Sequence, residues 1–238
     1  MLNVNDQLLT PLVNLLFPLF CYTCGEEGHS WCLTASDPLA WPLCFGCRRS
    51  YHPQAAQPNC PQSLPLVWLG RYTDVRLRTA IYDWKYAGYH AISQDWARLL
   101  AESVRRQFLT ASLLVPIPLH WQRRLARGYN QTEILAQQIS AILAWPAAHI
   151  LERKRATAVQ AHLTDDQRAA NVAGAFAVRL TSTTIKRTPV WLVDDVMTTG
   201  ATLQAARQTL TKAGWSVQGV IVIAATGQSG STKTTLSE

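Results

Sequence analysis

The sequence predicts an α/β fold, a mostly parallel sheet flanked by helices, with a small four-cysteine module in front of it. Three observations lead there. Residues 190–202 read as a buried strand, a turn and a helix start, and a second buried strand follows at Val217–Ala225, which makes a βαβ unit. Residues 112–117 read as another strand, feeding a basic loop and then a helix. Two C-x-x-C pairs stand near the amino terminus of a chain whose 238 residues exceed one typical domain only modestly.

Taken in order, residues 8–20 are apolar but interrupted by Pro11 and Pro18, and they are fewer than the roughly 20 a bilayer requires. No membrane span is expected; the spacing of Leu8, Leu12, Leu15, Leu16 and Leu19 suits a short helix packed on the cysteine module. Residues 1–7 hold no basic side chain and no small-residue cleavage site follows, so a secretory signal is not expected and a cytoplasmic location is.

Cys21-Tyr22-Thr23-Cys24 and Cys44-Phe45-Gly46-Cys47 are separated by 19 residues, within the spacing of a zinc ribbon or related four-cysteine site. Each knuckle offers two thiolates on one small turn, and two turns complete a tetrahedron. Structural zinc on Cys21, Cys24, Cys44 and Cys47 is the expectation; a redox pair and two disulfides are its competitors. A module of about 60 residues has a thin core and benefits from a metal staple. Cys32 and Cys60 have no C-x-x-C partner, and His29 and His52 are read as surface residues before ligands.

Four prolines (Pro53, Pro58, Pro61 and Pro65) mark a linker in residues 50–65. The expected division is a zinc module over residues 1–64, an α/β domain over 65–226, and a disordered Ser-, Thr- and Gly-rich tail over 227–238. Within the domain, residues 66–72 read as a strand and residues 75–108 as largely helical, interrupted near Gly88. After the strand at 112–117, the run Pro118-Leu119-His120-Trp121-Gln122-Arg123-Arg124-Leu125-Ala126-Arg127-Gly128-Tyr129-Asn130-Gln131 forms a basic loop that suits pyrophosphate, since guanidinium groups bind phosphate oxygens in pairs. Any single arginine there is equally readable as a solvated surface charge.

The densest chemistry lies in Val190-Trp191-Leu192-Val193-Asp194-Asp195-Val196-Met197-Thr198-Thr199-Gly200-Ala201-Thr202. Four apolar residues form the strand and two carboxylates follow at its carboxyl end. A turn of small and hydroxylated residues lets the backbone approach an anion, and the new helix offers unsatisfied N–H groups and the positive end of its dipole. Thr198, Thr199 and Thr202 add hydroxyl donors, and Gly200 tolerates angles that a Cβ forbids. Asp194 and Asp195 repel phosphate but accept hydrogen bonds from vicinal ribose hydroxyls. The site therefore suits a sugar phosphate; the alternative is ordinary capping and solvated charge. Leu203, Ala206, Leu210 and Ala213 recur at helical spacing behind it, with Gly214 as the stop.

The segment from Val193 to Thr202 resembles the phosphoribosyl pyrophosphate (PRPP) motif of type I phosphoribosyltransferases. The Pro116-Ile117-Pro118 and Arg127-Gly128-Tyr129-Asn130-Gln131 runs and the paired knuckles resemble the ComF/GntX family, over residues 21 to about 224. The resemblance implies the type I phosphoribosyltransferase fold, with PRPP and its magnesium held by Asp194, Asp195, Thr198, Thr199, Gly200, Ala201 and Thr202. It places a pyrophosphate loop at Arg123, Arg124 and Arg127, with Arg127 the preferred catalytic arginine beside Asp194 and Asp195. It also implies a mobile loop over Arg155, Gln160, Arg168, Asn171, Gly174 and Phe176 that closes on the ligand. ComF/GntX relatives often carry further cysteine knuckles where this chain has only Cys60.

A net charge of +7 suits anionic partners and does not choose between PRPP and nucleic acid. Trp121-Gln122-Arg123-Arg124 and Tyr82-Asp83-Trp84-Lys85-Tyr86 interleave aromatic and basic residues as single-strand binders do, although Ile81, Trp84 and Tyr86 read more readily as the buried part of a helix. Two functions follow. One is a competence protein that binds PRPP, contacts single-stranded DNA and works beside a helicase partner, as the resemblance implies. The other is an active phosphoribosyltransferase for base salvage or amidophosphoribosyl transfer, in which positioning and electrostatics drive departure of pyrophosphate.

Overall fold

A computed structural model describes residues 54–55, 64–87, 91–119, 125, 128–154, 174–179 and 188–226. Their strands are β1 (Gln54–Ala55), β2 (Leu66–Trp68), β3 (Gly70–Arg71), β4 (Leu113–Pro116), β5 (Leu151–Arg153), β6 (Phe176–Val178), β7 (Val190–Met197) and β8 (Val217–Ala225). Their helices are α1 (Val75–Tyr86), α2 (Ile92–Gln107), α3 (Gln131–Leu143) and α4 (Ala201–Lys212). The cysteines, Arg123, Arg124 and Arg127, Arg155, Gln160, Arg168, Asn171 and the carboxyl tail lie outside the described residues.

Aliphatic and β-branched runs without polar interruption suit strands buried on both faces, and parallel strands need helices to cover both. The main sheet runs β1-β2-β8-β7-β4, with β3 also on β8. β2, β3 and β7 pair parallel with β8, and β4 pairs parallel with β7 from Leu113 opposite Val190 to Pro116 opposite Val193. β1 adds an antiparallel edge, Gln54 opposite Trp68, so two residues of the proline-rich stretch join the sheet. The strand expected over residues 66–72 is broken at Leu69 into β2 and β3, and its Leu69 amide still donates to the Ile223 carbonyl at 3.1 Å.

Period-two alternation divides the core. Trp191 and Val193 of β7 and Ile221 and Ile223 of β8 face α1, α2 and α3, where they meet Leu77, Trp84, Trp96, Leu100 and Leu135. Val190, Leu192, Val220 and Val222 face the other way, onto Leu203, Ala206 and Leu210 of α4 and onto Leu151 and Phe176 of the separate antiparallel pair β5–β6. Trp84 lies edge-on to Trp96 with ring centroids 5.4 Å apart, which locks the end of α1 against α2. Gly219 is small because Trp191 lies over it: a Cβ there would stand 2.6 Å from the indole.

Asp74 caps α1 by accepting from the amides of Arg76 at 2.9 Å and Leu77 at 3.4 Å. α4 ends before Gly214, whose φ is 86°. Among the described residues no helix is long and apolar enough to cross a membrane. The mostly parallel sheet with helices on both faces is the expected α/β class, and the acidic segment lies at the carboxyl ends of its strands, where open α/β sheets bind ligands.

Candidate functional site

β7 continues past its apolar half. Asp194, Asp195 and Val196 remain in the strand, with Asp194 opposite Val222 and Met197 opposite Ala225, so the carboxylates sit on paired backbone and not in the turn. That is a correction to an expected strand of four residues. Thr198, Thr199 and Gly200 then turn the chain into α4. Gly200 holds a left-handed φ of 76°, which only glycine adopts without strain. The Ala201 amide donates to the Thr199 hydroxyl at 3.4 Å, and the first turn of α4 contains no acidic residue. From β8, Thr226 donates its hydroxyl to the Thr198 carbonyl at 2.7 Å and its amide to the Met197 carbonyl at 2.9 Å. The turn is thus fixed from below, while Thr198, Thr199, Ala201 and Thr202 are half-buried at the sheet edge.

Alternation along β7 separates the surroundings of the two acids. Asp195 follows Trp191 and Val193 toward α1 and meets Lys85, with Nζ 2.7 Å from Oδ2 and both side chains less than one fifth exposed. Asp194 accepts from the Asp195 amide at 2.8 Å. Its carboxyl is pushed up from 3.8 to about 7, first by burial and then by the charge of Asp195; that hydrogen bond, Lys85 and Arg153 oppose the rise. Arg153 reaches the site from β5, with its guanidinium carbon 5.4 Å from the ring centre of Phe176 on β6.

Part of the basic loop becomes scaffold. Asn130 caps α3, its Oδ1 accepting from the Thr132 amide at 3.3 Å while its Nδ2 donates to the Ile117 carbonyl at 3.3 Å and to Glu133 at 3.2 Å. Thr132 donates its hydroxyl to the same Ile117 carbonyl at 2.7 Å. Tyr129 and Gln131 donate to the carbonyls of Trp84 and Lys85, at 2.9 and 3.4 Å. Tyr129 to Thr132 therefore tie the end of β4 to the end of α1, and bring Lys85 into register with Asp195.

Of the residues expected in the site, Asp194, Asp195, Thr198, Thr199, Gly200, Ala201 and Thr202 are together at the end of β7. Arg127, Cys21, Cys24, Cys44 and Cys47 lie outside the described residues. Lys85, Arg153 and Thr226 were not expected there. Lys85 sits in the aromatic and basic run first read for nucleic acid, where Ile81 and Trp84 are buried but Tyr82 and Tyr86 are 61% and 59% exposed.

No family model matches the chain. It is 32% identical over 187 residues to competence protein F of Haemophilus influenzae, covering 74% of this chain and 81% of that one. It is 31% identical over 212 residues to the DNA utilization protein YhgH of Salmonella typhimurium, covering 77% and 91%. Among solved structures, adenine phosphoribosyltransferase of Trypanosoma brucei, in complex with AMP, pyrophosphate and ribose 5-phosphate, aligns over 74% of this chain and 76% of that one, at 12% identity and a TM-score of 0.44. With two such relatives matched over most of their length, the chain belongs to the ComF family.

Proposed function

We propose that this protein acts in DNA uptake or utilization and binds PRPP at the end of β7. The observation that carries the reading is the glycine-hinged turn between the acidic pair and the acid-free first turn of α4, at the ligand-binding edge of a parallel sheet. The 5-phosphate occupies the turn, Asp194 and Asp195 accept from the ribose hydroxyls, and magnesium enters with the pyrophosphate. Arg127 serves the pyrophosphate end. Calorimetric titration with PRPP and Mg²⁺ tests this. The wild-type chain should bind, and Asp194→Asn with Asp195→Asn should lose at least about tenfold in affinity, since charge-assisted hydrogen bonds contribute about 1.5–3 kcal/mol each. No binding by the wild type overturns it. Pyrophosphate release with a nucleobase or amine acceptor would add turnover to binding.

The partner in the same reading is single-stranded DNA, passed on beside a helicase. Tyr82 and Tyr86 on α1 are exposed, their ring centroids 4.8 Å apart, and Arg76 and Arg78 are exposed on the same helix. Stacking faces beside guanidinium groups suit an unpaired strand. Structural zinc on Cys21, Cys24, Cys44 and Cys47 completes the proposal, supported by the paired knuckle spacing. Metal analysis of the purified chain should find one zinc per molecule, and Cys24→Ser with Cys47→Ser should release it.

A further inference from the structure

Two adjacent carboxylates on one strand repel each other, so a cation placed by the fold decides how each is oriented. The described cations at this pair are Lys85 from α1 and Arg153 from β5. Lys85 stands apart in how its backbone is held. Trp84 is fully buried, and the carbonyls of Trp84 and Lys85 accept from Tyr129 and Gln131. A lysine in the last turn of a helix ordinarily answers the helix dipole and keeps its rotamer freedom in water. Here the ammonium crosses to the sheet, 2.7 Å from Asp195 Oδ2, with 17% of its side chain and 15% of that of Asp195 exposed.

We propose that Lys85 is the positioning residue of the acidic pair: anchored by the 129–131 turn, it orients the Asp195 carboxylate as a diol acceptor, without itself touching the ligand. The proposal rests on the PRPP reading above. A carboxylate offers about four lone-pair sites, so one oxygen can hold the ammonium while the other receives a ribose hydroxyl. Without Lys85, Arg153 is the remaining cation beside the pair among the described residues, and it stands on β5, so nothing described holds Asp195 from the α1 side.

The test compares the full-length wild type with Lys85→Met, which keeps the apolar stem, and with Lys85→Arg. Each is titrated calorimetrically with ribose 5-phosphate and with PRPP plus Mg²⁺ at one fixed pH. Lys85→Met should weaken both ligands by the same factor, about tenfold, because one ribose hydroxyl loses an oriented, charge-assisted acceptor. Lys85→Arg should restore both. The ligand phosphates ionise alike in every variant, so the difference reports the protein. Unchanged affinity overturns the proposal, as does a loss confined to PRPP, which would make Lys85 a pyrophosphate contact. If the wild type binds neither ligand, the PRPP reading fails by itself. Side-chain carboxyl NMR relaxation of the ligand-free protein then decides: an Asp195 carboxylate that gains mobility in Lys85→Met and is held again in Lys85→Arg supports the positioning role, and one held equally in all three overturns it. Should Lys85→Met fail to fold, Lys85→Gln is read by the same outcomes.

Discussion

The hydroxyl of Tyr129 donates to the main-chain carbonyl of Trp84 at 2.9 Å, joining the exit of the basic loop to the last turn of α1. Tyr129→Phe removes that donor and should cost about 1 kcal/mol of stability. Because the same turn carries Lys85, the variant should also bind PRPP severalfold more weakly. Thermal denaturation and calorimetry check the two effects separately.

Asp194 binds its proton more tightly in the folded chain than in the unfolded one, with a value of about 7 against 3.8. A raised acid stabilises the fold most below its unfolded value, and that contribution is lost as pH rises through the folded value. Asp194→Asn should therefore stabilise the fold near pH 8, by at most about 4 kcal/mol, and raise the melting temperature there, while changing it little near pH 4. PRPP affinity of the wild type should rise through about pH 7, as Asp194 ionises. Melting curves at the two pH values give the sign.

Gly200 is buried and sits at a φ of 76°, so Gly200→Ala places a Cβ where L-residues are strained by about 1–2 kcal/mol. The turn should reopen and PRPP affinity should fall by about tenfold or more. Thr226→Val, which loses the hydroxyl bond to Thr198, should weaken binding in the same direction with a smaller effect. Titration of both variants with PRPP and Mg²⁺ ranks them.

A methyl at Gly219 meets the Trp191 ring at 2.6 Å, and that ring is held by Phe108, at 4.6 Å between centroids, and Trp145, at 6.3 Å. Gly219→Ala should cost about 1–3 kcal/mol through overpacking. Chemical denaturation should show a lowered midpoint with an unchanged slope.

Tyr82→Ala with Tyr86→Ala should weaken oligodeoxynucleotide binding by about 1–3 kcal/mol per base unstacked and leave PRPP affinity intact. Arg76→Gln with Arg78→Gln should instead flatten the salt dependence. Fluorescence anisotropy across a salt series separates the two contributions.

Much of the candidate site's backbone was legible along the chain because it is local. Strand, carboxylates, threonine turn and helix follow one another within residues 190–212, and their periodicities and hydrogen bonds span few residues. The β5–β6 pair was not legible: each strand has three residues, too few for a period to register. Tyr82-Asp83-Trp84-Lys85-Tyr86 was ambiguous because one helical run feeds three environments. Trp84 enters the core, Lys85 reaches the sheet, and Tyr82 and Tyr86 face water.

By itself the sequence determined the α/β class, the acidic pair and the phosphate-type turn, and with them the expected ligand chemistry. Tertiary structure alone decided which cation answers Asp195, that burial pushes the Asp194 carboxyl up to about 7, and that Tyr129 to Thr132 act as a brace. The reason is physical. Propensity and alternation act between near neighbours, whereas charge pairing and desolvation depend on which distant segments the closed core brings together.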